Sequence, residues 1–295
     1  MMRAIATPWR EAVRFPRGFR YDGKPWTAAA ITDPHCTPTP SSIRHGRPYE
    51  HLGDGAARLA RCFDAMCELP EGERPAFVLL LGDIGVADAE AVLTGARRPV
   101  YPVAGNYEDG ELRDRLRAMY PHLFETGDYY AFDHAGVRVV GLCSAGVGND
   151  HVGHLASEGI RPPGQSEWLG HTLDGPWRPT VLFSHCPPMP PGFDRDAYLE
   201  RSSHEYVPFL ADNDSRFLIS MMERRGPLLG LFGHQHRATY GFDVGPSHAL
   251  VLRSSNWNHD GEAIGFLLLR IDRTGISLRE ILTGTPGGGR ATLGG

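Results

Sequence analysis

Ala76-Phe77-Val78-Leu79-Leu80-Leu81-Gly82-Asp83 is an unbroken apolar run that stops at a glycine and a carboxylate. A half-exposed strand alternates polar and apolar residues, whereas a strand covered on both faces does not, so this stretch reads as a buried strand of an α/β sheet. Upstream, Thr27–Thr32 (TAAAIT) has the same character and ends at Asp33. Between the two, Leu52, Ala56, Leu59, Phe63 and Met66 step by four and three, the spacing of one helix face. Downstream, a short helix over Ala87–Leu93 leads to a strand at Pro99–Val103 ending in Gly105-Asn106. A further helix carries Leu112, Leu116 and Met119.

Beyond Pro121 the period becomes two. Tyr129–Asp133, a His-Ala-Gly turn and Val137–Leu142 predict an antiparallel hairpin, so the sheets are mixed. Residues 144–164 form a glycine-rich loop, and a helix with Trp168 and Leu169 follows. Thr180–Ser184 reads as a buried strand ending at His185. The Pro-rich, then polar segment 187–214 reads as a lid or exposed loop. A helix over Arg216–Arg224 and a strand over Leu228–Phe232 ending at Gly233-His234 come next. Ala249–Arg253, Ala263–Ile271 and Ile276–Ile281 read as a final antiparallel set. Residues 1–26 form an arm or first edge strand, 27–283 one domain, and 284–295, with three consecutive glycines, a flexible tail.

Composition narrows the function classes. The chain has 295 residues, enough for a large core, and 30 Lys and Arg against 35 Asp and Glu leave a net charge of −5 with no long run of one sign. A long nucleic acid and a polybasic membrane anchor are therefore disfavoured as partners. The apolar runs fall well short of the ~20 residues that cross a bilayer, and the N-terminus lacks an apolar signal segment. Five cysteines without a C-x-x-C pair fit a reducing compartment, so the expected location is the cytoplasm. The 36 Gly and 24 Pro imply short elements joined by tight loops, where function concentrates.

Five strand ends carry metal-type donors: Asp33-Pro34-His35, Gly82-Asp83, Gly105-Asn106, Ser184-His185 and Gly233-His234-Gln235-His236. Ligands bind outside the carboxyl ends of strands in α/β sheets, so these seven side chains are expected on one rim. Alone, each is more often a polar residue capping a helix or lining a loop; the ordered set is what points to ligands. Carboxylate, imidazole and one amide suit Mn, Fe or Zn rather than an all-thiolate site. Asp83 has two oxygens and can bridge two cations, while Asp33 with His35, and His234 with His236, alternate so that each pair faces one side. Asn106 and His185 would complete a second ion's shell. Water between two such ions would serve as a nucleophile near neutral pH. Cys36 and Cys186 follow proposed ligands but read as small buried side chains.

This ordered series, D-x-H, G-D, G-N, a lone strand-end His and G-H-x-H, resembles the calcineurin-like metallophosphoesterases over Asp33 to His236. The Gln165-x-Glu167-Trp168-Leu169 helix start is similar to one common in the purple-acid-phosphatase-like and cyclic-nucleotide-diesterase-like branches. The resemblance implies a four-layer α/β/β/α sandwich with two mixed sheets. It also implies one metal on Asp33, His35, Asp83 and His236, and another on Asp83, Asn106, His185 and His234. Most members follow G-N with a His that protonates the leaving group; here Tyr107 stands there, followed by Glu108. Tyrosine, with a pKa near 10, is a poorer neutral-pH acid. His151 and His154, on the glycine-flexed loop, are candidates to replace it.

The expected function is hydrolysis of a small-molecule or nucleotide-like phosphodiester at a two-metal centre, since diesters with good leaving groups need less protonation. The alternatives are a phosphomonoesterase acting on a metabolite or phosphoprotein, and a non-catalytic metal-binding scaffold.

Overall fold

The computed structural model describes residues 4–37, 43–44, 47–48, 54–108, 110–125, 127–145, 152–155, 164–201 and 206–284. Two mixed sheets carry the architecture. The first runs β1 (Ile5–Ala6), β15 (Gly275–Gly284), β14 (Ile264–Ile271), β3 (Trp26–Ile31), β6 (Val78–Leu81) and β7 (Val100–Val103), with β2 (Arg10–Arg14) also pairing with β15. The second runs β12 (Tyr240–Val244), β13 (Ser247–Val251), β11 (Leu229–Phe232), β10 (Thr180–Phe183), β9 (Val137–Gly141) and β8 (Tyr130–His134). A separate pair, β4 (Ile43–Arg44) and β5 (Arg47–Pro48), is antiparallel.

The centre of each sheet is parallel: β3, β6 and β7 in the first, and β9, β10, β11 and β13 in the second. Parallel neighbours need crossover connections, and helices supply them. α1 (Gly55–Glu68) and α2 (Val86–Thr94) cross within the first sheet, and α3 (Glu111–Met119) follows β7. In the second sheet α4 (Gln165–Thr172) precedes β10, and α5 (Arg195–Arg201) and α6 (Asp212–Arg225) lie between β10 and β11. α1 starts where Asp54 accepts a hydrogen bond from the Ala57 amide at 2.9 Å, satisfying one of the free donors of the first turn.

The apolar run at 78–81 is explained by what lies on each side of it. Leu79 and Leu81 join Val139, Val181 and Phe183 in the core between the sheets. Val78 and Leu80 face the other way, packing with Leu59 and Met66 of α1 and Val86 and Leu93 of α2. β10 divides likewise, with Leu182 meeting Leu169 of α4 and Leu218 and Met222 of α6. Three cores in series are consistent with four layers, and each fully buried Leu contributes about 1.5–3 kcal/mol.

Three expectations are corrected. Ala249–Arg253 does not join the final antiparallel set: β13 lies in the second sheet, parallel to β11, while β14 and β15 close the first. Its antiparallel partner is β12, whose register, Tyr240 opposite Val251, is set by the turn at Gly245-Pro246. Segment 187–214 is not simply an exposed loop: it contains α5, and Val207, Phe209 and Leu210 are buried, with the Leu210 amide donating to the Pro187 carbonyl. Asp33 and His35 lie past the end of β3, so strand alternation does not orient them; the cause is given below. Near the N-terminus, β1 and β2 pair with β15 and Val13 enters the inter-sheet core. Residues 285–295, and with them nearly all of the expected tail, lie outside the described residues.

Candidate metal centre

The parallel strands of both sheets point their carboxyl ends to one edge, and the loops there carry the seven expected side chains. Asp33 and His35 follow β3, Asp83 follows β6, Asn106 follows β7, His185 follows β10, and His234 and His236 follow β11. All but His35 are buried in the fold, and the His35 side chain is only 10% exposed.

Backbone conformation, not strand pleat, aims these groups. Asp33, His35, Asp83, His234 and His236 have φ of 52°, 42°, 50°, 74° and 47°; among the described residues Ala135 is the one other non-glycine residue with positive φ. Left-handed backbone is disfavoured for side chains with a Cβ and costs about 1–3 kcal/mol per residue. Its concentration on five of the seven donors shows that the surrounding packing holds them against their local preference. Gly233 is required by close approach: a Cβ there would sit 1.8 Å from Thr32 Oγ1 and 2.6 Å from Asp33 Oδ2.

The donors fall into two adjoining sets. His35 Nε2 and His236 Nε2 are 3.0 Å apart, and Asp33 Oδ1 is 3.0 Å from His236 Nε2 and 3.9 Å from His35 Nε2. On the other side, His185 Nε2 lies 3.1 Å from Asn106 Oδ1 and 3.2 Å from His234 Nδ1. Asp83 Oδ2 joins the sets, 3.6 Å from His35 Nε2 and 3.1 Å from His185 Nε2.

A layer of backbone groups fixes their orientation. His185 Nδ1 faces the Leu81 carbonyl at 2.7 Å and His236 Nδ1 faces the Trp257 carbonyl at 3.0 Å, so when each Nδ1 carries the proton Nε2 is a bare donor aimed into the site. The Tyr107 amide donates to Asp83 Oδ1 at 3.0 Å, leaving Oδ2 for the centre. The His234 amide and Thr32 hydroxyl donate to Asp33 Oδ2, and the buried Oδ1 accepts no hydrogen bond.

The electrostatics of these side chains favour positive charge at their centre. Burial favours the neutral acid at Asp33, yet His236, His185 and His35 hold its carboxyl well below the usual range; Asp83 is lowered for the same reason, chiefly by His185. Burial pushes His35 down to about 4, whereas Asp83 and Asp33 overcome burial at His185 and raise it to about 9. A proton at His185 thus stands where positive charge is wanted. Facing nitrogens, an orphaned buried carboxylate oxygen and a mixed N/O donor set fit divalent or trivalent metal ions, and Asp33, His35, Asp83 and His236 place one donor atom each within 4.8 Å of one another. Cys186 lies within the same distance of His185 and His234, and burial with the nearby Asp83 charge pushes its thiol up.

Of the two loop histidines, one lies among the described residues. His154 Nδ1 is turned toward Asp214 Oδ2 of α6, 3.7 Å away, and His151 lies outside the described residues. The Tyr107 ring packs edge-on to His35, centroids 5.0 Å apart.

Two supports stand behind the donors. Glu108 is fully buried and clasps the loops after β6 and β7, accepting from the Ile84, Gly85 and Gly105 amides at 2.8, 3.1 and 2.8 Å; burial and Asp83 raise its pKa to about 7. The 254–258 loop after β13 is the other. Ser254 Oγ donates to the Asp33 carbonyl, the Ser255 amide to the Thr32 carbonyl, and Trp257 stacks on His236 at 4.0 Å. Glu108 was discoverable from its place two residues after Asn106; Arg253 to His259, with Trp257, reads from the sequence as either a pocket wall or the closure of a sheet edge, and the structure puts Trp257 against His236.

Comparison with known proteins agrees with this geometry. A glycerophosphodiester phosphodiesterase, GpdQ, of Enterobacter lignolyticus (strain SCF1) is 29% identical over 179 residues, which cover 57% of this chain and 58% of that protein. The match thus spans less than two thirds of the relative's length. A crystal structure of a dimetal phosphatase from Danio rerio superposes with a TM-score of 0.58 at 15% identity, covering 88% of this chain and 96% of that one, and shares the fold. The family described as calcineurin-like phosphoesterase matches residues 27–238, from β3 through the last of the seven donors, and the chain belongs to that family.

Proposed function

We propose that the protein is a metal-dependent phosphoesterase that hydrolyses a small-molecule or nucleotide-like phosphodiester. The observation that carries this reading is Asp83 Oδ2 lying between two imidazole sets, 3.6 Å from His35 Nε2 and 3.1 Å from His185 Nε2. Asp33, His35, Asp83 and His236 would hold one ion, and Asp83, Asn106, His185 and His234 the other, with Mn, Fe or Zn the metals that suit these donors. When bound, such ions supply Lewis-acid charge that polarises a phosphoryl group and acidifies water.

The chain's own part is positioning. The Leu81 and Trp257 carbonyls keep His185 and His236 aimed inward, the Tyr107 amide turns Asp83 Oδ2 to the centre, and the Tyr107 ring borders it beside His35. A tyrosine at this place is a weak proton donor at neutral pH, so the reaction is matched to a leaving group that departs with little protonation, which favours diesters over alkyl monoesters. The name of the matched relative points the same way. His154, and His151 on the same loop, remain our candidates for contacting the departing group. Residues 27–283 act as one unit in this reading. Four buried free thiols and an exposed one at Cys67 fit a reducing compartment, which supports our reading of a cytoplasmic protein. Among the described residues no helix is long and apolar enough to cross a membrane.

The test is hydrolysis of a chromogenic phosphodiester and its monoester by metal-free protein reloaded with manganese. Asp83→Asn should lose more than the roughly 10–100-fold that an orienting neighbour of a ligand is worth. Faster monoester turnover would convert the reading to a phosphatase, and silence on both substrates with two metals bound would favour the scaffold.

A further inference from the structure

Away from the metal centre, the outer face of α1 and α2 holds a cavity of about 420 Å³. It opens because the facing positions are small: Ala60 on α1, Ala91 on α2, and Gly95 and Ala96 at the end of α2. Phe63, Met66 and Val92 give it apolar walls. Its lining also includes Arg74, Arg97 and Arg98, all exposed. Arg74 donates to the Leu69 carbonyl, and among the described residues none of the three pairs with a carboxylate. Three positive charges lining one cavity stand out on a chain of net charge −5. The volume falls within the ~300–1,000 Å³ of small-molecule sites, and an apolar recess with a few charged groups at one end is what such sites offer.

We infer that this cavity binds a single-chain amphiphile with an anionic head: the alkyl chain lies between α1 and α2, and the carboxylate or phosphate head pairs with Arg97, Arg98 and Arg74. Arginine suits either head because its fork donates two parallel hydrogen bonds to paired oxygens. The site is separate from catalysis. α1 is about 20 Å long, and its first residue, Gly55, is the one packed against the His35 carbonyl. This inference does not rest on the proposed reaction.

A built-in reporter makes it testable. Cys67 lines the cavity and is the exposed one of the five cysteines, so its rate of modification by a thiol reagent reads occupancy. With the full, metal-loaded chain, decanoate or decyl phosphate below its micelle concentration should slow Cys67 modification at least fivefold. Peptide mass spectrometry locates the label. Decyltrimethylammonium should not protect, and an Arg97→Glu/Arg98→Glu variant should lose the protection while keeping its circular dichroism and basal diester turnover. Calorimetric titration with the same compounds is an independent readout. The stronger of decanoate and decyl phosphate identifies the head as carboxylate or phosphate. Equal protection by the cationic detergent, undiminished protection in the double variant, or none from either anion would overturn the inference.

Discussion

Five of the seven candidate ligands are held in left-handed backbone, which makes the centre sensitive to changes that leave every donor in place. Gly233→Ala is the sharpest case. The added methyl would fall 1.8 Å from Thr32 Oγ1 and 2.6 Å from Asp33 Oδ2, the oxygen that accepts the His234 amide, so the loop after β11 must move away from the loop after β3. We expect bound metal to fall from two ions per chain to one or none, as measured by atomic emission, with diester turnover falling in step. Unchanged metal content would show that the two loops yield independently. The donors themselves were legible because each chemical type sits at the end of an apolar run. Their left-handed conformation was not, since nothing local in Asp-Pro-His or His-Gln-His calls for it; strand pairing and the clasp by Glu108 and Ser254 impose it.

The elements that carry these loops differ in how far their own residues declare them. β6 and β10 are buried on both faces and α1 has a single apolar stripe, so local pattern sufficed for them. β12 was missed because Tyr240–Val244 is short and half exposed, and it exists as a strand through its pairing with β13. α4 shows an element whose first residue matters more than its face. Gln165, buried there, accepts from the Cys143 amide at 2.8 Å and donates to the Cys143 and Leu155 carbonyls at 2.8 and 2.6 Å, tying 152–155 to the end of β9. Gln165→Ala leaves three buried backbone groups without that partner and should destabilise the protein by about 2–3 kcal/mol. Urea denaturation would show a lower midpoint at unchanged slope. Metal content should hold, because none of the seven donors lies on α4; loss of metal would mean that the 152–155 segment supports the centre directly.

Across the molecule, the edge where both sheets end is held by opposite charges whose balance shifts when metal is removed. In the metal-free protein His185 has a folded pKa raised to about 9 from an ordinary 6.5, so its contribution is present below pH 6.5 and is lost as pH rises through 9. Glu108, raised to about 7, is still half protonated at pH 7 and adds a loss of the same sign that fades by pH 8, while His35, lowered to about 4, is neutral in the fold throughout. Between pH 7.5 and 8.5 the metal-free protein should therefore lose about 1.4 kcal/mol of stability per pH unit, chiefly through His185, while the metal-loaded protein, with His185 already unprotonated, should not. Denaturant melts of both forms at three pH values would decide it, and parallel curves would show that His185 is neutral without metal. The kinds of donor, their order and the buried strands that end in them follow from the residues alone, because burial on two faces and ligand chemistry leave local marks. The union of two sheets into one rim, the left-handed loops and the anchoring by Glu108 and 254–258 depend on contacts between segments up to about 220 residues apart, such as Ser254 to Asp33, and no local pattern encodes a contact of that range.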